Sequence, residues 1–283
     1  MGKNIIISDQ TSLDNKIKDM RRDGPGGLHV LSDFDRTLTK AYVNGKKIWS
    51  LLAILRDHFM LTPDYPAKAQ ALADTYLSLE RDPRISRQEK KKLMNEWWTK
   101  HFTLLVACGL TKSDIVRALS IGQIELRPGT DTMFSLLNGY HIPLVIMSAS
   151  GIGGDAIAMY LKKQGLLSPN THVIGNTIIW DKSGRATGVK KPIIHSLNKD
   201  ETVIQQFPAY ADVRDRKNVI LLGDFTDDVE MVTGFDYTNL ISIGFLNEDT
   251  DRLLPEYKKC YDVVILNDGP MDAINNIIKS VIQ

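Results

Sequence analysis

LHVLSDFDRTLT, residues 28–39, is the stretch whose reading decides the fold. Leu28-His29-Val30-Leu31 is a short, mostly apolar run, as expected of a strand covered on both faces. GPGG at 24–27 separates it from an amphipathic helix predicted over 12–22, where Leu13, Ile17 and Met20 recur at spacings of four and three. The run ends at Ser32, and Asp33 and Asp35 follow at once. Two carboxylates separated by one residue, just past a strand, reach the same small volume. They suit Mg²⁺, a hard cation that takes oxygen ligands. They also suit a division of labour in which one attacks phosphorus and the other moves protons. In isolation, an Asp-x-Asp in a surface turn reads equally well.

Downstream, the pattern is helical from Lys46 to Ile121. Its clearest piece begins at Ser86, with Leu93, Trp97, Leu104 and Cys108 on one face and Lys90, Lys91, Lys92, Glu96 and Lys100 largely off it. Pro66, Pro83 and Gly109 fall at helix boundaries. Trp97 and Trp98 cannot both face one core, so one is expected inside and the other along a cleft. After Pro128 the pattern changes to strands alternating with helices. Strands are predicted at Ile142–Met147, Val173–Ile174, Ile178–Trp180, Val219–Leu222, Leu240–Ile243 and Val263–Leu266, and helices at 154–163, 226–233 and 269–281. Such alternation implies an α/β fold with a mostly parallel sheet covered on both faces. The expected organisation is a core of residues 1–45 and 126–283 interrupted by an all-helical cap at 46–125.

Ligands of such sheets bind beyond the carboxyl ends of the strands. Ser148-Ala149-Ser150-Gly151 follows the strand Ile142–Met147, and a hydroxyl with backbone N–H groups ahead of a helix makes a phosphate cradle. Gly223-Asp224-Phe225-Thr226-Asp227-Asp228 follows Val219–Leu222. Asp224 suits a cation's oxygen shell, and Asp228 a metal-bound water or a neighbour needing orientation. Lys190-Lys191, between these sites, offers a positive charge for carboxylates and phosphate. Each has a plainer reading as a serine-glycine turn, a helix cap or solvated lysines. Four such signals in order, three of them directly after buried strands, favour one phosphate site with Mg²⁺ as cofactor.

Lys+Arg (35) and Asp+Glu (34) nearly cancel across 283 residues, which speaks against a nucleic-acid polymer as partner. Cys108 and Cys260 are too few and too far apart for a disulfide framework or zinc site, and two buried thiols in a reducing compartment are expected. The N-terminal stretch lacks the succession of a signal peptide, and no run is long and apolar enough to span a membrane. The expectation is a cytoplasmic protein, a monomer or weak homo-oligomer, that meets a small phosphate ester and no membrane.

These motifs resemble the haloacid-dehalogenase-like superfamily of aspartate-nucleophile phosphatases, whose core is Rossmann-like and whose helical cap sits between the first two motifs. A closer resemblance is to the cytosolic 5′-nucleotidase III (pyrimidine 5′-nucleotidase) family. It runs from about Leu28 to the C-terminus and is carried by SDFDRTLT, EWWTKHFTLLV, GVKKPIIHSLNKD and VILLGDFTDDVEM, with IGFLNED and YDVVILND also similar. The resemblance implies a Mg²⁺-dependent 5′-nucleotidase that prefers pyrimidine nucleoside monophosphates and passes through an aspartyl phosphate. It implies Asp33 as nucleophile and Asp35 as acid/base, with Asp33, Asp35, Asp224 and Asp228 about the metal. Ser148, Ala149 and Lys190 would hold the phosphate, and Glu80 would read the base. His101 stands where the family commonly has a serine near the substrate, and by itself reads more readily as a packed or partly exposed cap residue than as a catalyst. SASGIGGD carries one residue more than the family pattern, and KKIWSLLAILRDH lacks its polar segment. These departures put the base preference in question and leave open a phosphatase acting on a non-nucleotide ester; a catalytically silent nucleotide-binding module is the remote alternative, against which the intact Asp33, Asp35 and Asp224 argue. Phosphotransferase activity follows if another nucleoside accepts the phosphoryl group.

Overall fold

The computed structural model describes residues 4–283 apart from 49, 59, 83, 122 and 123, and gives Leu51, Arg81, Glu201 and Thr202 as backbone only. In chain order, β1 (Ile5–Ile7), α1 (Gln10–Asp23) and β2 (Leu28–Ser32) precede a two-stranded ribbon, β3 (Tyr42–Val43) and β4 (Lys46–Lys47). Helices α2 (Leu51–Asp57), α3 (Tyr65–Arg81), α4 (Arg87–Ala107) and α5 (Lys112–Ile121) follow. The chain continues through α6 (Thr130–Gly139), β5 (Leu144–Met147), α7 (Gly154–Lys163), β6 (Thr171–Ile174) and the ribbon of β7 (Ile178–Trp180) with β8 (Ala186–Val189). It closes with α8 (Glu201–Ile204), α9 (Tyr210–Val213), β9 (Asn218–Gly223), β10 (Asn239–Leu246), α10 (Thr250–Cys260), β11 (Val263–Leu266) and α11 (Asp272–Ile282).

The main sheet has the order β1-β11-β10-β9-β2-β5-β6. Its neighbours run parallel except β1, which pairs antiparallel with β11. The strand side chains alternate between two apolar layers, as a pleat with period two requires. Val30, Ile220 and Leu222 enter the layer that also holds α1, α6, α7 and α11. Leu31, Val219 and Leu221 enter the opposite layer with Val203, Ile204 and Val213 of α8 and α9. Both faces are therefore dry, and the expected α/β class is the one found.

Several expectations shift. Ile178–Trp180 is a strand but lies outside the main sheet, because a turn at 181–184 folds the chain back and gives it Ala186–Val189 as partner. The 226–233 helix is a 3-10 stretch, Thr226–Val232. The ribbon β3–β4 stands before the helices, so the inserted segment is not wholly helical. Pro66 sits in the first turn of α3 and Gly109 just past α4, while Pro83 lies outside the described residues. Cys108 and Cys260 are free and half-buried rather than buried. Among the described residues, no helix is long and apolar enough to cross a membrane.

His29 departs from the apolar logic of β2. It is fully buried, its ring packs 5.5 Å from Phe235, and neither ring nitrogen has a hydrogen-bond partner. Burial, helped by the charge of Arg216, lowers its pKa to about 3. The unfolded chain therefore takes up a proton near pH 6.5 that the folded chain refuses, and this share of stability is lost as pH falls from 6.5 toward 3. His29→Leu removes an unpaired buried N–H and is expected to stabilise by about 1 kcal/mol at pH 7. The gain should be larger at pH 5.5. Melting curves at both pH values check this, and a constant difference would assign the acid sensitivity elsewhere.

Candidate active site

β2 lies between β9 and β5, so the segments leaving these three strands are neighbours. They carry Asp33, Asp224 and Ser148. After β2 the chain turns tightly: the Phe34 carbonyl accepts the N–H groups of Thr37, Leu38 and Thr39. Phe34 anchors the turn by burying its ring edge-on against Tyr160 at 5.9 Å. The turn holds Asp33 at 7 % exposure with Asp35 half-buried beside it.

After β9, Asp228 Oδ2 accepts the N–H groups of Asp224 and Phe225 at 3.1 and 3.0 Å. Tyr257 of α10 and Tyr261 just past its end donate their hydroxyls to the carbonyls of the same two residues. Gly223 is required where this turn begins, because a Cβ there would lie 2.4 Å from that of Asp228. Asp224 is buried. Thr37 Oγ1 donates to its Oδ1 at 3.4 Å, and Arg36 Nε stands 3.8 Å from its Oδ2.

Beside Arg36, the site holds a second positive charge, Lys199. Its ammonium meets Asp33 Oδ1 at 2.6 Å and Asp228 Oδ1 at 2.9 Å, with all three residues buried. The expectation placed on Lys190 is corrected accordingly. Lys190 is exposed at the end of β8, and Lys191 reaches Thr99 Oγ1 at 3.4 Å. The lysine arrives nine residues later because the intervening segment is folded back. Asn176 bonds both the N–H and the carbonyl of Ile194, and Asn198 spans Ile193 and His195. Asp228, expected about the metal, has both oxygens engaged and stands as the support of Lys199 and of the 224–225 turn.

Ser148 is buried, and its hydroxyl oxygen accepts the Ser150 N–H at 3.1 Å, leaving its own proton to donate. Ala149 is half-buried next to it. Gly151 brings α4 close, because a Cβ there would lie 2.6 Å from the Trp98 ring. Trp98 stacks on Trp97 at 5.4 Å, and Trp97 on Tyr76 of α3 at 5.8 Å. Both tryptophans are half-buried, so neither takes the wholly inward place expected of one of them. One turn beyond Tyr76, Glu80 accepts a 2.6 Å hydrogen bond from Ser196, three residues before Lys199. His101, a substrate contact by the resemblance and a packed cap residue by its own reading, is 2 % exposed and packs against Trp98 and Phe102. Its Nε2 has no partner, and burial lowers its pKa to about 4.

The aspartates carry more negative charge than their cations balance. Burial raises Asp33 to about 6, against the pull of Lys199 and with Asp228 adding to the rise. Burial and then the charge of Asp33 raise Asp35 to about 7. Asp224 is raised by burial, Asp33 and Asp228. Burial alone would depress Lys199, but Asp228 and Asp33 overcome it and hold the ammonium above its ordinary value. Among the described residues, no three His, Cys, Asp or Glu side chains are already gathered as a cation cage. Oxygen-only donors with a deficit of positive charge nonetheless fit a hard divalent cation.

Arg127 was not singled out from the sequence. It is 1 % exposed and donates to the carbonyls of Thr37, Arg36 and Gly269 while pairing with Asp268 at 3.0 Å. Its only sequence signal is an arginine in RPG ahead of a helix.

Residues 36–282 match the family model described as Pyrimidine 5′-nucleotidase (UMPH-1). The 7-methylguanosine phosphate-specific 5′-nucleotidase A of Xenopus laevis is 34% identical over 99% of this chain and 97% of its own. Its Homo sapiens counterpart is 32% identical over 93% of this chain and 87% of its own. The crystal structure of cytosolic 5′-nucleotidase IIIB bound to cytidine superposes with a TM-score of 0.90 at 27% identity, covering 99% of this chain and 94% of that one. Phosphoserine phosphatase, at 15% identity and a TM-score of 0.53, shares the fold alone. By its matched length and by these relatives, the chain belongs to the pyrimidine 5′-nucleotidase (UMPH-1) family and is a 5′-nucleotidase, a hydrolase of phosphoric monoesters.

Proposed function

We propose that the protein hydrolyses nucleoside 5′-monophosphates through an aspartyl phosphate formed on Asp33. The observation that carries this reading is the Lys199 ammonium held by both Asp33 and Asp228 beside the strand end that bears Ser148. Lys199 keeps the Asp33 carboxylate oriented for attack on phosphorus and draws off charge from the transferring group. Asp35, raised to about 7, gives its proton to the leaving oxygen and then takes one from the water that opens the aspartyl phosphate. The Ser148 hydroxyl donates to a phosphoryl oxygen, with the Ala149 backbone beside it. Magnesium is the cofactor the donors fit. Asp33, Asp224 and a main-chain oxygen at Asp35 would hold it, and there it would neutralise phosphoryl charge.

Residues 46–125 are read as a cap that covers the substrate and excludes water. The half-buried Trp97 and Trp98, backed by the buried Tyr76, offer an aromatic surface, and Glu80 a carboxylate one turn from Tyr76. A 7-methylated guanine carries a positive charge, which favours indole faces and an acidic neighbour. The relatives named for 7-methylguanosine phosphate support that base. The cytidine bound to the solved relative supports the second reading, a pyrimidine. The cytosolic naming of that relative supports the cytoplasm as its location.

Phosphate release from 7-methyl-GMP, GMP, CMP, UMP, phosphoserine and an aryl phosphate, with Mg²⁺ and with chelator, tests the reading. Selective, chelator-sensitive release from nucleotides is expected. Glu80→Ala should raise KM for the preferred nucleotide about tenfold and leave the aryl phosphate unchanged. An equal effect on both would end the base-reading role. Release confined to phosphoserine or the aryl ester would replace nucleotides with another ester.

A further inference from the structure

Arg36 directly follows Asp35, and its backbone is left-handed (φ 62°), a conformation costly for a residue with a side chain. The surroundings hold it there. Arg127 and Asn247 both donate to its carbonyl, and Thr39 Oγ1 accepts its N–H at 2.8 Å. The guanidinium thereby lies between two carboxylates, with the residue 8 % exposed. Nη2 donates to Glu248 Oε1 at 2.7 Å. Nε, buried and without a hydrogen-bond partner, stands 3.8 Å from Asp224 Oδ2. An unpaired buried N–H so near a carboxylate is expensive, and a shift of about 1 Å would satisfy it. Glu248 opposes that shift and is itself tethered, by Lys47 Nζ at 2.6 Å and the Tyr42 hydroxyl at 3.2 Å.

We infer that Arg36 and Glu248 form a charge-sharing pair that sets how tightly the aspartates bind their divalent cation. Glu248 holds the guanidinium at a stand-off from Asp224, so that Asp224 Oδ2 stays open while a permanent positive charge limits the affinity. The inference rests on Asp224 being a cation ligand, as read above. Lys47 belongs to β4, which ties the pair to the ribbon leading into the helices.

The test is calorimetric titration of MgCl₂ into the full chain without substrate, for the wild type, Arg36→Met, Glu248→Ala and the double variant. Methionine keeps an unbranched stem as far as the position of Nε and the same positive-φ cost, so the comparison removes the guanidinium and its charge. Arg36→Met should bind Mg²⁺ roughly tenfold more tightly, as loss of a cation about 4 Å from a ligand oxygen implies. Glu248→Ala should bind more weakly, because the guanidinium then closes on Asp224. The double variant should match Arg36→Met, since Glu248 acts only through Arg36. Melting curves establish that each variant is folded, and Arg36→Gln substitutes if methionine is not accepted. Unchanged or weaker binding by the folded Arg36 variant overturns the inference. So does a Glu248→Ala effect that persists undiminished in the Arg36→Met background. A wild type that takes up no Mg²⁺ overturns the cation site itself, and this inference with it.

Discussion

Asp33→Asn is expected to lower turnover on the order of 10⁶-fold, the scale reached when a nucleophile is removed from a preorganised site. The amide is nearly isosteric, and its oxygen can still accept the 2.6 Å bond from Lys199, so the geometry should survive. The charge it removes is one that burial already disfavours, as the rise of Asp33 to about 6 records. Loss of that charge therefore relieves a burden while weakening the hold on Lys199, and the two changes oppose each other. The melting temperature should move by only a few degrees. Single-turnover phosphate release read beside thermal melts separates the outcomes. A folded variant within tenfold of wild-type turnover would take the nucleophile's role away from Asp33.

Lys199→Met is expected to damage both activity and stability. The methionine fills similar volume but leaves Asp33 and Asp228 facing each other, both buried, with their shared cation gone. Breaking one side of a buried ion pair costs about 3–5 kcal/mol. Loss of a donor aimed at the transferring group should lower turnover by roughly 10²–10³. Lys190→Ala is the matched control: the side chain is exposed, and neither turnover nor melting should change. Denaturant unfolding and phosphate release on both variants decide the matter. Lost activity in Lys190→Ala with a sound Lys199→Met would return the catalytic lysine to the position first expected.

That pair of variants also marks where sequence reading stops. LHVLS before Asp33 and NVILLG before Asp224 are buried along their whole length, so their apolar runs announced both the strands and the acids that follow. Asp228 was legible for a similar reason, because four residues past Asp224 is the reach of one turn. Lys199 was not. It ends a segment with no periodic pattern, and its position is set by Asn176 and Asn198 gripping main-chain groups, which spacing does not reveal. β1 escaped because three isoleucines become a strand only against β11, more than 250 residues away. His101 stood between two readings, because a cap histidine reads alike whether its ring faces a cleft or, as here, packs against Trp98 and Phe102.

Thr39 bridges antiparallel to Leu126, the Lys40 N–H donates to the Glu125 carbonyl, and the Arg127 N–H donates to that of Leu38. The outgoing and returning chains are thus stitched together within a few residues of Asp35. Such a seam fixes where the intervening segment leaves and rejoins the core, at one spot beside the turn that carries Asp33. The segment is not cut off by it: Lys47 and Tyr42 reach Glu248, Glu80 reaches Ser196, and the helices share one apolar core with β2. A lineage that exchanged these helices for others would have to rebuild those contacts along with them.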